Sequence, residues 1–252
     1  MTLTSLLYLK DMSLLTASAR ILAIDPTSIS VILDQSPFYP QGGGQASDKG
    51  TLTYGSTSLQ VTAVKKDPAT GTIAHFLSSV DNLSTGLEVF CSVDPVTRSL
   101  NTRCHSAGHL LDHAVEDLHL PLEVRSAYHF LTGPYVEYAF VDDSIELTPE
   151  YLKELQGKLQ DAANKIVAEG IPVTVYEGKV SELPGWRQDL IPEAVRLSGS
   201  VRLVKFEKQG YDPVPCSGTH VTNSSLIKPI VVKKISLNRE KRTIRVSYII
   251  QQ

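Results

Sequence analysis

Between Leu6 and about Ser92, apolar positions come in short runs broken every few residues by Gly, Pro, Asp, Asn or Ser. Ser30-Val-Ile-Leu-Asp34, Gly50-Thr-Leu-Thr-Tyr54 and Leu59-Gln-Val-Thr-Ala-Val64 are examples, rich in Val, Ile, Leu and Thr. Runs of that length and spacing predict a small antiparallel barrel or sandwich. The pattern changes at Asp94-Pro95. Proline suits the first turn of a helix, where its missing N–H would have no partner. From Pro95 to about Leu118 the apolar positions Val96, Leu100, Leu110, Leu111, Ala114, Val115 and Leu118 keep mainly to helical spacing.

Further on, Tyr135-Val-Glu-Tyr-Ala-Phe140 alternates as a strand does. Pro149 to Glu169 places Leu152, Leu155, Leu159, Ala162, Ala163 and Ile166 on one face of a second amphipathic helix, which stops at Gly170. Val173-Thr-Val-Tyr176, Val201-Arg-Leu-Val-Lys-Phe206, Ile230 to Ile235 and Thr243 to Ile249 complete the predicted strands. Helices and strands mix in this half. The expected fold class is therefore α+β: an N-terminal small antiparallel β-barrel over residues 1–93, followed by an α+β domain over 94–252. A chain of 252 residues suits two modest cores, because domains usually run to roughly 100–200 residues.

Composition narrows the class. Hydrophobic residues make up 42% and charged residues 20%, ordinary globular values that argue against a disordered or fibrous chain. The most apolar runs, such as Ile230 to Ile235, are far shorter than the roughly 20 residues of a membrane span. The first ten residues have neither a basic start nor a long apolar stretch, so no secretory signal is expected and the protein reads as cytoplasmic. Cys91, Cys104 and Cys216 are too few and too irregularly spaced for a disulfide framework. A net charge of -3 gives no global attraction to nucleic acid, so any RNA contact must come from a local patch. Residues 228–245 hold one: Lys228, Lys233, Lys234, Arg239, Lys241, Arg242 and Arg245 against Glu240. Such a strip can track phosphates, or protect an edge strand from aggregation.

The candidate chemistry lies in two short segments. His105-Ser-Ala-Gly-His109 falls inside the first predicted helix, where residues four apart lie one above the other and two imidazoles can reach one metal ion. Cys216-Ser-Gly-Thr-His220, in a Pro- and Gly-rich loop, offers a thiolate and a further imidazole. Zinc accepts this mixture of nitrogen and sulfur, which is less natural for Mg²⁺ or Ca²⁺. Spacing leaves a rival pair, because His109 and His113 repeat the separation of His105 and His109. Each half alone also has a bland reading, as surface histidines or as a structural cysteine. Cys104 does not share a helix face with His105 and is expected to be a small apolar filler.

Together these residues resemble a known family. His105-Ser-Ala-Gly-His109-Leu-Leu111, followed by Cys216-Ser-Gly-Thr-His220, is similar to the paired zinc motif of the alanyl-tRNA editing proteins (AlaX). These are freestanding relatives of the editing domain of alanyl-tRNA synthetase. Phe38-Tyr-Pro-Gln-Gly-Gly-Gly-Gln45, with Asp48 and Gly50 after it, resembles the glycine-rich loop in the N-terminal barrel of the longer members. The motifs keep the family's order and span nearly the whole chain. The resemblance selects His105, His109, Cys216 and His220 as Zn²⁺ ligands. It implies an aminoacyl-tRNA deacylase acting in trans on mischarged tRNA(Ala), chiefly Ser-tRNA(Ala) and in some members Gly-tRNA(Ala). The need is physical, since a small apolar pocket discriminates poorly against an added hydroxyl. The chain is short for a complete synthetase, so editing without ATP-dependent charging is expected.

Roles for other residues follow from the same resemblance. Gly42, Gly43 and Gly44 let backbone N–H groups approach a ligand. Gln45 offers an amide to a water or to the seryl hydroxyl, and the loop is expected to overhang the metal; its bland reading is a turn between strands. Gln45, Gly43 and Gly44 are thus expected in catalysis, and Gly42, Gly108 and His129 at the substrate. Gly108 stands where the synthetase and some relatives often carry Thr. Glycine within a helix costs about 1 kcal/mol relative to alanine, so close approach by the substrate or the barrel loop is expected there. His129 reads as a polar contact or as a structural histidine. By charge and position, not by the resemblance, Arg98 and Arg103 on the helix that carries the metal ligands, and Lys233, Lys234, Arg239, Lys241 and Arg242 of the basic strip, are the expected tRNA contacts. Four protein ligands nearly fill a tetrahedral zinc, so either one is loose or the metal mainly positions the substrate. Two rival functions stay open: a non-enzymatic RNA-binding protein with a structural zinc, and a zinc hydrolase of a small ester or amide.

Overall fold

The computed structural model describes residues 3–142, 145–188 and 191–251. The chain divides into two compact units, Met1–Asn101 and Thr102–Gln252. In the first, β1 (Thr16–Asp25), β2 (Ser30–Leu33), β3 (Gly50–Tyr54), β4 (Thr57–Lys66), β5 (Ile73–Leu77) and β6 (Glu88–Val93) close into a barrel. The order is β1-β2-β5-β4-β3-β6, and every pair is antiparallel. The strand-length runs of the sequence thus form a barrel and not a sandwich. Alternation explains the filling: Val89, Cys91 and Val93 of β6 point inward with Ile21, Val31, Leu33, Leu52 and Val61. Closure removes the edges that a sandwich would expose.

One buried ion pair braces this unit. Arg98 is 4% exposed and Asp48 is fully buried. Arg98 Nε and Nη2 reach the Asp48 carboxylate at 2.9 and 2.5 Å, while Nη1 and Nη2 donate to Met12 O at 2.8 Å and Pro37 O at 2.7 Å. The expectation that Arg98 contacts tRNA is corrected by this placement, because its donors are taken up inside the unit.

The long helix α1 (Pro95–Asp117) is capped by Asp94, whose Oδ1 accepts from Val96 N at 2.9 Å. Cys104, Ala107, Leu110, Leu111 and Ala114 on α1 are fully buried, whereas Val96 in the first turn is 65% exposed. After α1 come β7 (Leu122–Tyr128), β8 (Tyr135–Phe140), α2 (Pro149–Glu169), β9 (Val173–Lys179), β10 (Ser200–Phe206), β11 (Ile230–Asn238) and β12 (Thr243–Ile250). A four-stranded sheet runs β11-β12-β8-β7, and β9 pairs with β10 in a separate smaller sheet. The apolar faces of α1, α2 and the larger sheet share one core.

Helix α2 begins where Thr148 accepts from Tyr151 N and ends at Gly170 in the left-handed conformation (φ 65°), the stop expected from the sequence. It also covers the edge strand β11. Asn164 exchanges two 2.8 Å hydrogen bonds with the Ile230 backbone, Gln160 accepts from Val232 N at 3.1 Å, and Gln156 donates to Val232 O at 2.9 Å. These amides, four residues apart, satisfy the backbone of an edge strand for which the sequence offered protection by charge. Arg103 is also buried, donating to the Ile227 and Gln251 carbonyls that flank β11 and β12. Its expected contact with tRNA is corrected on the same ground as that of Arg98.

Candidate metal centre

Helix α1 carries His105 and His109 on one face, their ring centroids 5.1 Å apart. The loop after β10 brings Cys216 and His220 to the same place. Cys216 Sγ lies 3.5 Å from His105 Nε2 and 3.3 Å from His220 Nε2. The ligand atoms of these four residues all lie within 4.8 Å of one another. A tetrahedral zinc with bonds of about 2.0–2.3 Å spaces its ligands roughly 3.3–3.8 Å apart, so the nitrogen–sulfur distances suit it.

The side chains are prepared for a cation. Burial pushes the imidazoles of His105, His109 and His220 well below the ordinary histidine range, so all three are neutral at physiological pH. Burial also raises the Cys216 thiol to about 11. At His220 the tautomer is set by Ser106. Its Oγ gives its hydrogen to Thr102 O at 2.9 Å, so it accepts from Val221 N at 3.1 Å and from His220 Nδ1 at 3.3 Å. The His220 Nε2 lone pair is thereby left on the side of Cys216. At His109, both ring nitrogens are buried and lack a hydrogen-bond partner. An orphaned buried polar atom costs about 1–3 kcal/mol, which a metal would relieve. On these observations the donor set fits zinc.

Residues that the sequence did not flag hold the loop. Arg202 on β10 donates from Nη1 to Cys216 O at 2.6 Å and Gly218 O at 2.9 Å, and its carbonyl accepts from Cys216 N at 3.1 Å. Ser106 was visible only as the residue after His105, and its use depends on a loop far along the chain. His113, the rival ligand, lies outside the group: it is stacked on Tyr211 and bonded to Glu116. Cys104 is buried in the apolar core, as expected, with its thiol pushed up to about 12.

Gly108 has a steric reason of its own. A Cβ there would lie 2.2 Å from His129 Cε1 and 2.7 Å from Nδ1. A close approach at this glycine is made by His129. His129 also stacks on His105, with centroids 4.6 Å apart. Its Nδ1 meets Tyr248 Oη at 2.8 Å, and that hydroxyl donates to Cys104 O at 2.9 Å, so the ring cannot easily yield. Overpacking a core costs typically about 1–3 kcal/mol, so Gly108→Ala should destabilise despite alanine's better helix propensity. In a His129→Ala background the same change should gain up to about 1 kcal/mol. Urea unfolding of the four proteins reads this cycle; a cost that persists without His129 would place the clash elsewhere.

In the first unit, Gly43 and Gly44 have φ of 51° and 74°, left-handed values that favour glycine. Gly42 N and Gln45 N bond to the carbonyls of Gln45 and Gly42 at 3.2 and 2.8 Å, and the Gln45 side chain is buried. In the basic strip, Arg239 donates to Leu147 O at 3.4 Å and Arg242 to Asp142 O at 3.1 Å, while Lys233, Lys234 and Lys241 are exposed. No helix among the described residues is long and apolar enough to cross a membrane.

Comparison with known proteins agrees with the motifs. The family model for class II (A) tRNA synthetases matches residues 13–97. The alanyl-tRNA editing protein AlaX-M of Pyrococcus horikoshii is 29% identical over 241 residues, 95% of each chain. AlaX-M of Methanosarcina acetivorans is 29% identical over 219 residues, 81% of this chain and 82% of the relative. The alanine–tRNA ligase of Alkaliphilus oremlandii is 32% identical over 201 residues, 79% of this chain. The chain spans only 22–24% of the length of the ligases it matches. Against the editing proteins the likeness runs along most or nearly all of both partners, so the chain is similar throughout its length to alanyl-tRNA editing proteins of the AlaX-M type.

Proposed function

We propose that this chain is a trans-acting aminoacyl-tRNA deacylase of the cytoplasm. It hydrolyses the ester that joins a wrong amino acid to the terminal adenosine of tRNA(Ala), Ser-tRNA(Ala) first and Gly-tRNA(Ala) second. The observation that carries this reading is the convergence of the His105/His109 and Cys216/His220 pairs, more than a hundred residues apart in sequence, on one group. The full-length likeness to proteins named for alanyl-tRNA editing supports it.

His105, His109, Cys216 and His220 hold zinc, which supplies, when bound, a Lewis acid able to polarise the ester carbonyl or hold the amino group. The three imidazoles are already neutral and can bind without first losing a proton. His129 faces the amino acid. Because Tyr248 gives its hydrogen to Cys104 O, it accepts from His129 Nδ1, and His129 Nε2 keeps a lone pair. That acceptor takes the hydroxyl hydrogen of a seryl group, which alanine lacks, and so favours the wrong substrate. The catalytic roles of Gln45, Gly43 and Gly44, and the substrate role of Gly42, rest on the resemblance. The exposed Lys233, Lys234 and Lys241 are assigned to tRNA phosphates, with Arg239 and Arg242 beside them.

Incubation with Ser-tRNA(Ala), Gly-tRNA(Ala) and Ala-tRNA(Ala) tests the reading. The seryl ester should be lost fastest, the glycyl ester more slowly, and the alanyl ester spared. Hydrolysis of none would leave an RNA-binding protein with a structural zinc, and cleavage of small esters alone would leave the small-ester hydrolase. Loss from Ala-tRNA(Ala) alone would end the protective role.

A further inference from the structure

One turn beyond His109 on α1, His113 is fully buried against Tyr211, stacked at 4.1 Å and 2°, and Phe206, edge-on at 5.1 Å. Its Nδ1 lies 2.7 Å from Glu116 Oε2. A carboxylate only accepts, so the hydrogen sits on Nδ1 and Nε2 keeps its lone pair. That Nε2 is buried without a donor. Four residues back on the same helix face, His109 has two buried nitrogens without partners. An imidazole that gives one nitrogen to a cation carries its hydrogen on the other, and metal-bound histidines almost always donate that hydrogen. The helix thus holds a buried acceptor beside a ring that presents a buried donor once it binds metal.

We propose that His113 is a positioning residue for the metal group: its Nε2 accepts the hydrogen of His109 across one bridging water and fixes that ring for the ion. The inference rests on the zinc reading above. The brace continues past His113. Glu116 Oε1 accepts from Arg187 Nη2 at 2.5 Å, and Arg187 Nη1 donates to Asp212 O at 3.2 Å and Pro213 O at 2.9 Å. Asp212 and Pro213 lead into Cys216. One connected set of hydrogen bonds therefore supports the helix pair of ligands and steadies the approach to the loop pair. The histidine that competes with His105 by spacing acquires a different role, behind the ligands.

His113→Phe keeps the ring stack and loses both nitrogens. Zinc affinity, read by chelator competition, should fall about 10–100-fold relative to wild type. The Co²⁺-loaded variant should retain its thiolate-to-cobalt absorption while its d–d bands shift. Wild-type affinity with only a lower melting temperature would overturn the proposal, because a purely structural role predicts that pattern. A variant stripped of one ligand, with cobalt spectra of a three-ligand site, would also overturn it by making His113 a ligand. If His113→Phe does not fold, Glu116→Ala, at a partly exposed side chain, asks the same question by removing the acceptor that holds the tautomer: weaker zinc supports the proposal and unchanged affinity overturns it. A wild-type protein that binds no zinc would overturn the zinc reading itself, a result distinct from equal binding by wild type and variant.

Discussion

On the proposed function, replacing Cys216 with alanine should remove zinc and slow the hydrolysis of Ser-tRNA(Ala) by about a thousandfold, or ~4 kcal/mol on the barrier. The expectation rests on position, since Sγ lies 3.5 Å from His105 Nε2 and 3.3 Å from His220 Nε2. Three neutral imidazoles without the thiolate make a weaker and less zinc-selective set. The metal-free fold should change little, because the buried thiol is uncharged and its loss strands no ion. Circular dichroism should therefore match wild type while metal content falls from one ion per chain to none. The pH dependence of zinc affinity follows from the same groups. The imidazoles have shed their protons by neutral pH, whereas the thiol, pushed up to about 11, must lose one as the metal enters. Protons compete below that value, so affinity should rise about tenfold per pH unit between pH 7 and 9. An affinity independent of pH there, or full zinc content in Cys216→Ala, would remove the cysteine from the ligand set.

How much of this was legible from sequence depended on whether a local pattern or a distant contact decided the outcome. Helix α2 was readable to its ends because its apolar residues share one face and Thr148 and Gly170 mark its limits. Strands β3 and β8 were readable for the same local reason, each carrying a short, nearly complete alternation. Strand β7 was not, because Leu122-Glu-Val-Arg-Ser-Ala-Tyr128 is a mixed run only partly buried at a sheet edge. At the candidate metal centre, residue types and spacing pointed to the two pairs that the fold brings together but left His113 in contention. The choice lies in tertiary contacts: Tyr211 and Glu116 engage His113, while the loop carrying Cys216 meets His105 and His109. Gly108 shows the limit clearly. Its presence in a helix was recognisable as a compromise, but the ring it accommodates is twenty-one residues further on, across a strand.

Arg98 is the case where sequence pointed the wrong way, and its partner gives the largest expected stability effect. Asp48→Ala should destabilise the barrel unit by about 3–5 kcal/mol, the cost of leaving a buried charge unpaired. Asp48 holds more than Arg98. Its Oδ2 accepts from Tyr39 N at 2.7 Å and its own N–H donates to Tyr39 O at 3.0 Å, so the residue closes the base of the loop that carries Gly42 to Gln45. Loosening of this loop should accompany the loss of stability, and amide exchange across residues 39–48 should accelerate. The buried pair is strong only as a pair. Replacing both members with apolar residues, Arg98→Met with Asp48→Leu, should cost far less than Asp48→Ala, because no charge remains to desolvate. The single change Arg98→Met separates bracing from RNA contact. A phosphate-binding arginine contributes about one unit to the slope of log affinity against log salt, so its loss would flatten tRNA binding curves. With its guanidinium committed to Asp48, Met12 and Pro37, Arg98→Met should lower the unfolding midpoint and leave that slope unchanged. A flattened slope at unchanged stability would return Arg98 to the tRNA surface.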